Sequence, residues 1–190
     1  MSLTIVIAIL LLAAATAAAL WWYRSPAAPA SLNPGKYLPR FELQSEDGDT
    51  VSSDSLLGRP AVLLFLRGSW CPFCTEQVRE LAAHYRRINE LGARLIFVTP
   101  KPLDTTRRVA DMFEVDFTFW LDVDGGVATE LGILEPDAVP PDFRERFGPH
   151  AILPTVIVID KDGVIRFADR ARDVRSRPDP SVIVGKLEAL

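Results

Sequence analysis

Apolar residues in this chain form several short runs that are separated by turn residues. Residues 61–66 (AVLLFL), 94–99 (RLIFVT) and 117–121 (FTFWL) are almost continuously apolar, which predicts three strands, the first of them buried on both faces. Between the first two runs, residues 74–91 carry apolar side chains at three- and four-residue spacing, and Gly92 follows. This spacing predicts one amphipathic helix. Strands that alternate with helices predict an α/β fold that contains parallel strands.

Hairpins are predicted near both ends of this region. Residues 37–44 and 50–51 flank a group of turn residues and predict a short first hairpin. Residues 155–168 contain two apolar runs around Lys161-Asp162-Gly163 and give the clearest hairpin in the chain. The proline-rich residues 133–153 predict an irregular inserted loop, to which no role is assigned. Further helices are predicted at residues 104–113, 125–131 and 180–190.

A long uncharged run precedes these elements. Residues 3–20 contain no charged side chain, and as a helix this run with the next two residues spans roughly the 30 Å of a bilayer core. The aromatic residues 21–23 and then Arg24 are typical of a membrane interface. We therefore predict a single-pass anchor at residues 1–24. The alternative is a cleaved signal peptide, although a basic amino-terminal region is missing and the run exceeds the roughly 7 to 15 residues of a signal core.

Residues 25–36 (SPAAPASLNPGK) hold three prolines and a glycine, which predicts an extended linker. Residues 37–190 are then long enough for one globular domain. The whole chain is 48% hydrophobic and 24% charged, with a formal net charge of -4. It lacks the basic stripe that phosphate backbones require, so nucleic acid is excluded as the main partner.

The two cysteines, Cys71 and Cys74, are three positions apart in the segment WCPFC. They follow a predicted buried strand and open the predicted helix, which places both sulfurs at the helix amino terminus, where free N–H groups and the helix dipole lower a thiol pKa. Pro72 suits the first helical position, and two intervening residues let the sulfurs meet. We predict a redox-active dithiol that needs no cofactor, with Cys71 as nucleophile and Cys74 resolving. Trp70 is expected to shield the site, and Arg67 to add positive potential.

Other interpretations of the cysteines remain. A zinc site needs four ligands, and the chain offers only His84 and His150 in addition to the thiols. His84 lies roughly 15 Å along the predicted helix from Cys74 and on its polar face, so it is expected to be a solvated surface residue. His150 lies in the proline-rich segment, from which it could approach the site. The cysteines could also be inert and buried, or bind a soft metal in a non-enzymatic scaffold.

Three ordered segments carry a family resemblance: residues 65–81 (FLRGSWCPFCTEQVREL), 119–133 (FWLDVDGGVATELGI) and 153–169 (LPTVIVIDKDGVIRFAD). Over about residues 37–190 the chain resembles the peroxiredoxin-like branch of the alkyl hydroperoxide reductase and thiol-specific antioxidant family. The resemblance implies an antioxidant oxidoreductase with a thioredoxin-like fold, a central mixed sheet flanked by helices. It also implies that Pro154 is cis and lies against the dithiol, and that Pro154 and Thr155 present their backbone to a partner.

The chain departs from this family at the dithiol. A typical peroxiredoxin carries proline seven residues and threonine three residues before its peroxide-attacking cysteine. With Cys74 in the attacking position, Arg67 and Cys71 stand there instead. Exchange with a protein or small-molecule disulfide is therefore the first expected activity, and peroxide reduction by Cys74 the second, each supplied by an unidentified thiol electron donor.

The side of the membrane on which the domain lies is predicted from two opposing signals. Arg24, Lys36 and Arg40 follow the uncharged run and no charge precedes it, which on the positive-inside rule favours a cytoplasmic domain. Tethered proteins of the resembled fold more often work outside the cytoplasm. An extracytoplasmic domain is the prediction carried forward.

Overall fold

The computed structural model describes residues 5–7, 10–16, 28–100, 112, 115 and 117–190. The strands are β1 (Glu42–Ser45), β2 (Thr50–Ser52), β3 (Ala61–Phe65), β4 (Arg94–Thr99), β5 (Thr118–Leu121), β6 (Leu134–Glu135), β7 (Ala151–Ile152), β8 (Thr155–Ile159) and β9 (Ile165–Arg170). The α-helices are α1 (Pro72–Ala82), α2 (Tyr85–Glu90), α3 (Gly126–Glu130), α4 (Pro141–Phe147) and α5 (Pro180–Glu188). Short 3₁₀ turns occupy Ala30–Leu32 and Ser53–Leu56.

A seven-stranded mixed sheet forms the centre, in the order β2-β1-β5-β4-β3-β8-β9. Strand β4 pairs parallel with β3 and with β5, and the remaining neighbours pair antiparallel. This arrangement confirms the predicted thioredoxin-like α/β fold. The apolar runs that predicted strands correspond to β3, β4 and β5, and the hairpins β1–β2 and β8–β9 form where they were predicted.

Strand β3 is buried at every position because both faces of the sheet are covered. Its residues Val62 and Leu64 join a core with the apolar sides of α1, α2 and α5. The alternate residues Leu63 and Phe65 join a second core with α3. Because successive side chains of a strand point to opposite faces, one short run serves two cores. Cys71 and Cys74 lie in the core on the α1 side of this sheet.

The single helix predicted over residues 74–91 is wrong, because the structure divides this segment into α1 and α2. At the break, the ring Nδ1 of His84 lies 3.0 Å from the carbonyl oxygen of Glu80, and the backbone N–H of His84 donates to Leu81 at 2.9 Å. A side chain that occupies the carbonyl four residues earlier competes with the helical hydrogen bond. The apolar spacing continues across the break, which explains why the pattern did not reveal it.

The prediction of an irregular loop at residues 133–153 is also wrong. This segment, called the cap segment below, contains the antiparallel pair β6–β7 and the helix α4. Pro140 is the N-cap of α4, and Pro141 occupies the first helical turn, where a missing N–H costs no intrahelical hydrogen bond. The prolines therefore start a helix in this segment.

Residues 28–36 are packed against the domain, so the interpretation of a free extended linker does not hold for them. Leu32, in the first 3₁₀ turn, is fully buried in the core on the α3 side. The backbone N–H of Gly35 donates to the carbonyl oxygen of Ile165 at 2.8 Å. A leucine in the core fixes this segment in place.

The predicted membrane anchor stays a prediction. Residues 5–7 and 10–16 are helical. Among the described residues, no helix is both long enough and apolar enough to cross a bilayer. The aromatic residues 21–23, Arg24 and most of the helix predicted at residues 104–113 lie outside the described residues.

Candidate active site

A tight loop carries the chain from β3 to the dithiol. Gly68 has φ 117°, a conformation that favours glycine, and its carbonyl oxygen accepts the N–H of Cys71 at 3.2 Å. A Cβ on Gly68 would lie 3.2 Å from the side chains of both Trp70 and Phe147. A side chain at this position would therefore require the two rings to shift by a few tenths of an ångström. The loop turns the chain so that Cys71 becomes the N-cap of α1.

Both cysteines are reduced and buried, with only 3% of each residue exposed. The carbonyl oxygen of Cys71 accepts the N–H groups of Cys74 at 3.0 Å and Thr75 at 3.3 Å. Pro72 occupies the first turn of α1, as the sequence predicted. The dithiol therefore lies at the amino-terminal end of the helix, where backbone N–H groups have no intrahelical acceptor.

The two thiols are electrostatically unequal. A hydrogen bond from the Cys74 side chain, against the cost of burial, lowers the pKa of Cys71 to about 6. Backbone N–H groups of Cys74 and Phe73 and the charge of Arg177 act in the same direction. The same bond, together with burial, raises the pKa of Cys74. At neutral pH the negative charge therefore resides on Cys71, and Cys74 keeps its proton.

Two further donors surround the sulfur of Cys74. The backbone N–H of Arg67 lies 3.4 Å from this Sγ atom, and Nη2 of Arg177 lies 3.6 Å from it. Nε of Arg177 also donates to the side-chain oxygen of Gln77 at 2.8 Å. Sequence reasoning missed Arg177 because it lies 103 residues after Cys74. The only sequence signal is a group of arginines between residues 170 and 177.

The guanidinium of Arg67 is directed away from the sulfurs. Its side chain is 4% exposed and pairs with Glu135 at 3.1 Å, and Nη2 donates to the carbonyl oxygen of Ala138 at 3.0 Å. Both partners belong to the cap segment, and the guanidinium also lies 5.1 Å from the centre of the Trp70 ring. Arg67 therefore reaches Cys74 through its backbone N–H and joins the cap segment to the site through its side chain.

Aromatic rings cover the loop that precedes the dithiol. Trp70 is half-buried and stacks on Phe143 of α4, and Phe147 of the same helix packs close to Gly68. This arrangement agrees with a shielding role for Trp70. The partner rings in the cap segment were not predicted, because this segment was expected to be irregular.

The predicted cis bond at Pro154 is wrong, since the structure contains no cis peptide bond among its described residues. The carbonyl oxygen of Pro154 accepts the N–H of Ala171 at 2.7 Å, and the N–H of Leu153 donates to Ile133 at 2.7 Å. Both hydrogen bonds form while the Leu153–Pro154 peptide bond is trans, and trans is the form of lower energy. Thr155 is buried in β8 opposite Phe65. Contact of Pro154 and Thr155 with a partner stays a prediction.

The two histidines have structural partners. His84 is half-buried at the break between α1 and α2. Nδ1 of His150 accepts the backbone N–H of Asp137 at 3.2 Å, which joins two parts of the cap segment. In the part of the chain that the structure describes, no three His, Cys, Asp or Glu side chains lie close enough to hold a metal ion.

Comparisons with known proteins point to one family. The sequence model of the AhpC/TSA family matches residues 34–168. "Peroxiredoxin Q, chloroplastic" from Triticum aestivum is 30% identical over 138 residues, which cover 72% of this chain and 58% of that protein. The chain thus spans less than two thirds of the length of this relative.

Solved structures share the fold at low identity. The peroxidoxin BcpB from Mycobacterium tuberculosis has a TM-score of 0.67 at 19% identity, over 84% of this chain and 98% of that one. A structure described as a thiol:disulfide interchange protein DsbE from Chlorobium tepidum has a TM-score of 0.61 at 19% identity, with the same coverage, 84% and 98%. At these identities the similarity establishes a common fold alone.

Proposed function

Since this chain belongs to the AhpC/TSA family, we propose that it is a peroxiredoxin-type thiol peroxidase in which Cys71 and Cys74 pass two electrons to a peroxide. One observation carries the proposal: Cys71, whose pKa is lowered to about 6, and the thiol of Cys74 that bonds to it lie together in a covered site, each residue 3% exposed. Attack on a protein disulfide requires the target sulfur to line up with the attacking sulfur. A peroxide needs to bring only its two oxygen atoms to the attacking sulfur, so it can reach a buried sulfur more easily than a protein disulfide can.

The reaction proceeds in two steps that balance. The Cys71 thiolate attacks one oxygen of the peroxide, the O–O bond breaks, and the second oxygen takes a proton and leaves as an alcohol or water. Cys71 is then a sulfenic acid. The sulfur of Cys74 attacks it, an S–S bond forms, and the hydroxyl group leaves with the Cys74 proton as water. Two equivalents of an external thiol reduce the disulfide again.

Thiol–disulfide exchange is the second candidate, and the pKa asymmetry favours it specifically. The lowered pKa, about 6, belongs to Cys71, the first cysteine of the C-x-x-C segment. The family resemblance instead aligns Cys74 with the peroxide-attacking sulfur. A thiolate at Cys71 with Cys74 behind it attacks an outside disulfide and resolves the mixed disulfide by the same geometry. Access to the covered sulfur then decides between the two activities.

Stopped-flow oxidation of the reduced protein by hydrogen peroxide tests the proposal, with insulin reduction measured in parallel. We expect a fast phase well above that of an ordinary thiolate, lost in Cys71→Ser, and a sulfenic acid at Cys71 in Cys74→Ser that dimedone traps. Slow oxidation together with efficient insulin reduction would make disulfide exchange the function. A fast phase lost only in Cys74→Ser would assign the attack to Cys74.

We also propose that the amino-terminal run tethers the domain to a membrane. Helical residues Leu10, Leu11 and Leu12 are 63%, 66% and 70% exposed, so their apolar surface is not buried against the domain. The full chain should stay in the membrane pellet after carbonate extraction, whereas a variant that begins at residue 28 should be soluble. Recovery of a mature protein that begins near residue 30 would identify a cleaved signal peptide.

In this proposal the domain lies outside the cytoplasm. Protease added to intact cells should then degrade it. Protection of the domain until the membrane is opened would place it on the cytoplasmic side.

A further inference from the structure

We propose that Arg177 is a catalytic residue for the second step, because it stabilises the thiolate that Cys74 forms as it attacks oxidised Cys71, and that Gln77 positions it. The contact between the Arg177 guanidinium and the Cys74 sulfur, 3.6 Å long, carries the proposal. The assignment of Arg177 to this step rests on the proposed peroxidase function. The charge effect itself is measurable without any oxidant.

The guanidinium of Arg177 is held on three sides. Nε donates to Gln77 at 2.8 Å, and Nη1 donates to the carbonyl oxygens of Ser176 at 2.6 Å and Val174 at 3.3 Å. Nη2 alone is directed at the sulfur of Cys74. Because the guanidinium group is planar and rigid, these contacts fix the direction of Nη2.

Gln77 is suited to this positioning role. It follows Cys74 by three residues on α1, so both side chains lie on one face of the helix. Only 3% of Gln77 is exposed, and a buried amide requires hydrogen-bond partners. Arg177 supplies one. Because the amide is neutral, it does not offset the positive charge of Arg177, whereas a carboxylate at this position would neutralise it.

The second step needs such a charge. The hydrogen bond between the sulfurs keeps the proton on Cys74 while Cys71 is a thiolate, and burial also favours the protonated form. When Cys71 becomes a sulfenic acid its negative charge is gone, but burial still opposes ionisation of Cys74. Of the interactions that act on Cys74, the charge of Arg177 and the N–H of Arg67 favour its thiolate.

Other charged side chains lie around this site, and Glu76, Glu80, Arg175 and Asp179 line the same cavity as Arg177. The Arg67 guanidinium is paired with Glu135. Burial raises the pKa of Asp169 in β9, and the charges of Arg172 and Arg177 act against this rise. Arg177 also lowers the pKa of Cys71, but less than the side-chain hydrogen bond from Cys74 and the backbone N–H of Cys74 do. Removing Arg177 should therefore affect the second step more than the first.

Thiol titration in a Cys71→Ser background tests the charge effect without a peroxide. Loss of an opposite charge at this distance should raise the Cys74 pKa by about 1 to 2 units in Arg177→Gln. Arg177→Lys should restore part of the shift, because it keeps the charge and loses the planar contacts. Arg175→Gln is the matched control: Arg175 lies in the same segment and over the Phe73 ring, and its loss should leave the titration unchanged.

Rapid-mixing kinetics with the otherwise native protein test the assigned step. In Arg177→Gln, disulfide formation should slow about tenfold or more, the effect of one pKa unit, while sulfenic acid formation slows less. Gln77→Met should reproduce part of this slowing. An unchanged Cys74 pKa in folded Arg177→Gln would overturn the proposal. A raised pKa with no peroxide oxidation in the native protein would instead refute the peroxidase function.

Discussion

The indole of Trp70 stacks on the ring of Phe143, with centroids 5.9 Å apart and planes inclined by 25°. Trp70 directly precedes the dithiol, whereas Phe143 belongs to α4 of the cap segment. The pair Arg67 and Glu135 makes a second connection between the same two regions. The cap segment therefore forms a wall beside the loop that leads to the dithiol, and we predict that its contacts control access to Cys71.

Replacing Phe143 with alanine should open this wall. We expect faster alkylation of Cys71 by bulky reagents and an increase in insulin reduction relative to peroxide reduction. The loss of the aromatic pair should cost about 0.5 to 1.5 kcal/mol of the free energy of unfolding. Insulin turnover and stopped-flow peroxide oxidation of the same preparation measure the ratio.

Val182→Ala on α5 is the control for Phe143→Ala. Val182 is 41% exposed and Phe143 is 40% exposed, so both variants lose a half-exposed apolar side chain, but Val182 is remote from the cap segment in sequence. An equal change of the activity ratio in both variants would show that the stacking does not gate the site.

Replacing Glu135 with alanine should destabilise the protein through Arg67. The Arg67 side chain is 4% exposed, and its Nε atom has no hydrogen-bond partner among the described residues. Without Glu135, the carbonyl of Ala138 is the one hydrogen-bond acceptor that the described part of the chain leaves to the guanidinium. Leaving a buried donor unsatisfied should cost about 1 to 3 kcal/mol, measurable by urea unfolding of the reduced protein. Glu90→Ala, which removes exposed ion pairs with Arg86 and Arg87, should have a much smaller effect; an equal loss would contradict the argument.

Much of the fold and the dithiol could be predicted because the signals are local. The continuous apolar run of β3 and the three- and four-residue spacing of apolar residues in α1 each reflect the burial of one element. The C-x-x-C segment lies where these two elements join. The β8–β9 hairpin carries its own turn residues. In each case, neighbouring residues in the sequence determine the structure.

The missed features depend on contacts between distant parts of the chain. Arg177 meets Cys74 across 103 residues, and Glu135 meets Arg67 across 68. Neither contact leaves a periodic pattern. The break at His84 arises from one side-chain hydrogen bond that apolar spacing cannot reveal. The proline content of the cap segment was read as a lack of structure, although proline is favourable in the first turn of a helix.

Gly68→Ala should be more damaging than an ordinary glycine substitution. A Cβ at this position would press on Trp70 and Phe147 at 3.2 Å, in addition to the strain of a positive φ. Gly35→Ala is the matched control, because Gly35 has φ 89° and no described residue places an atom within 4 Å of an added Cβ. Strain at such a φ costs on the order of 1 to 3 kcal/mol, and Gly68→Ala should exceed Gly35→Ala in urea unfolding. Equal losses would mean that the loop yields without cost.

The hydrogen bond between the sulfurs predicts a specific pH dependence for Cys71. Reduced protein should react with iodoacetamide at Cys71 with a midpoint at pH about 6, because the thiolate is the nucleophile and is protonated below that pH. Cys74→Ala removes the main cause of the lowered pKa and should move the midpoint upward toward the ordinary value of 9.0. A shift of two units would lower the alkylation rate at pH 7 by about tenfold, since about nine tenths of Cys71 is ionised before the change and about one tenth after it.

Cys74→Ser provides the control for this shift, because its hydroxyl keeps a donor at the same position. We expect its Cys71 midpoint to stay closer to that of the native protein than to that of Cys74→Ala. Mass spectrometry of the alkylated peptide confirms that Cys71 is the residue followed in the native protein. If Cys74→Ala leaves the midpoint near pH 6, the helix amino terminus and Arg177 alone hold the thiolate. The hydrogen bond from Cys74 would then not be the source of the asymmetry between the two sulfurs.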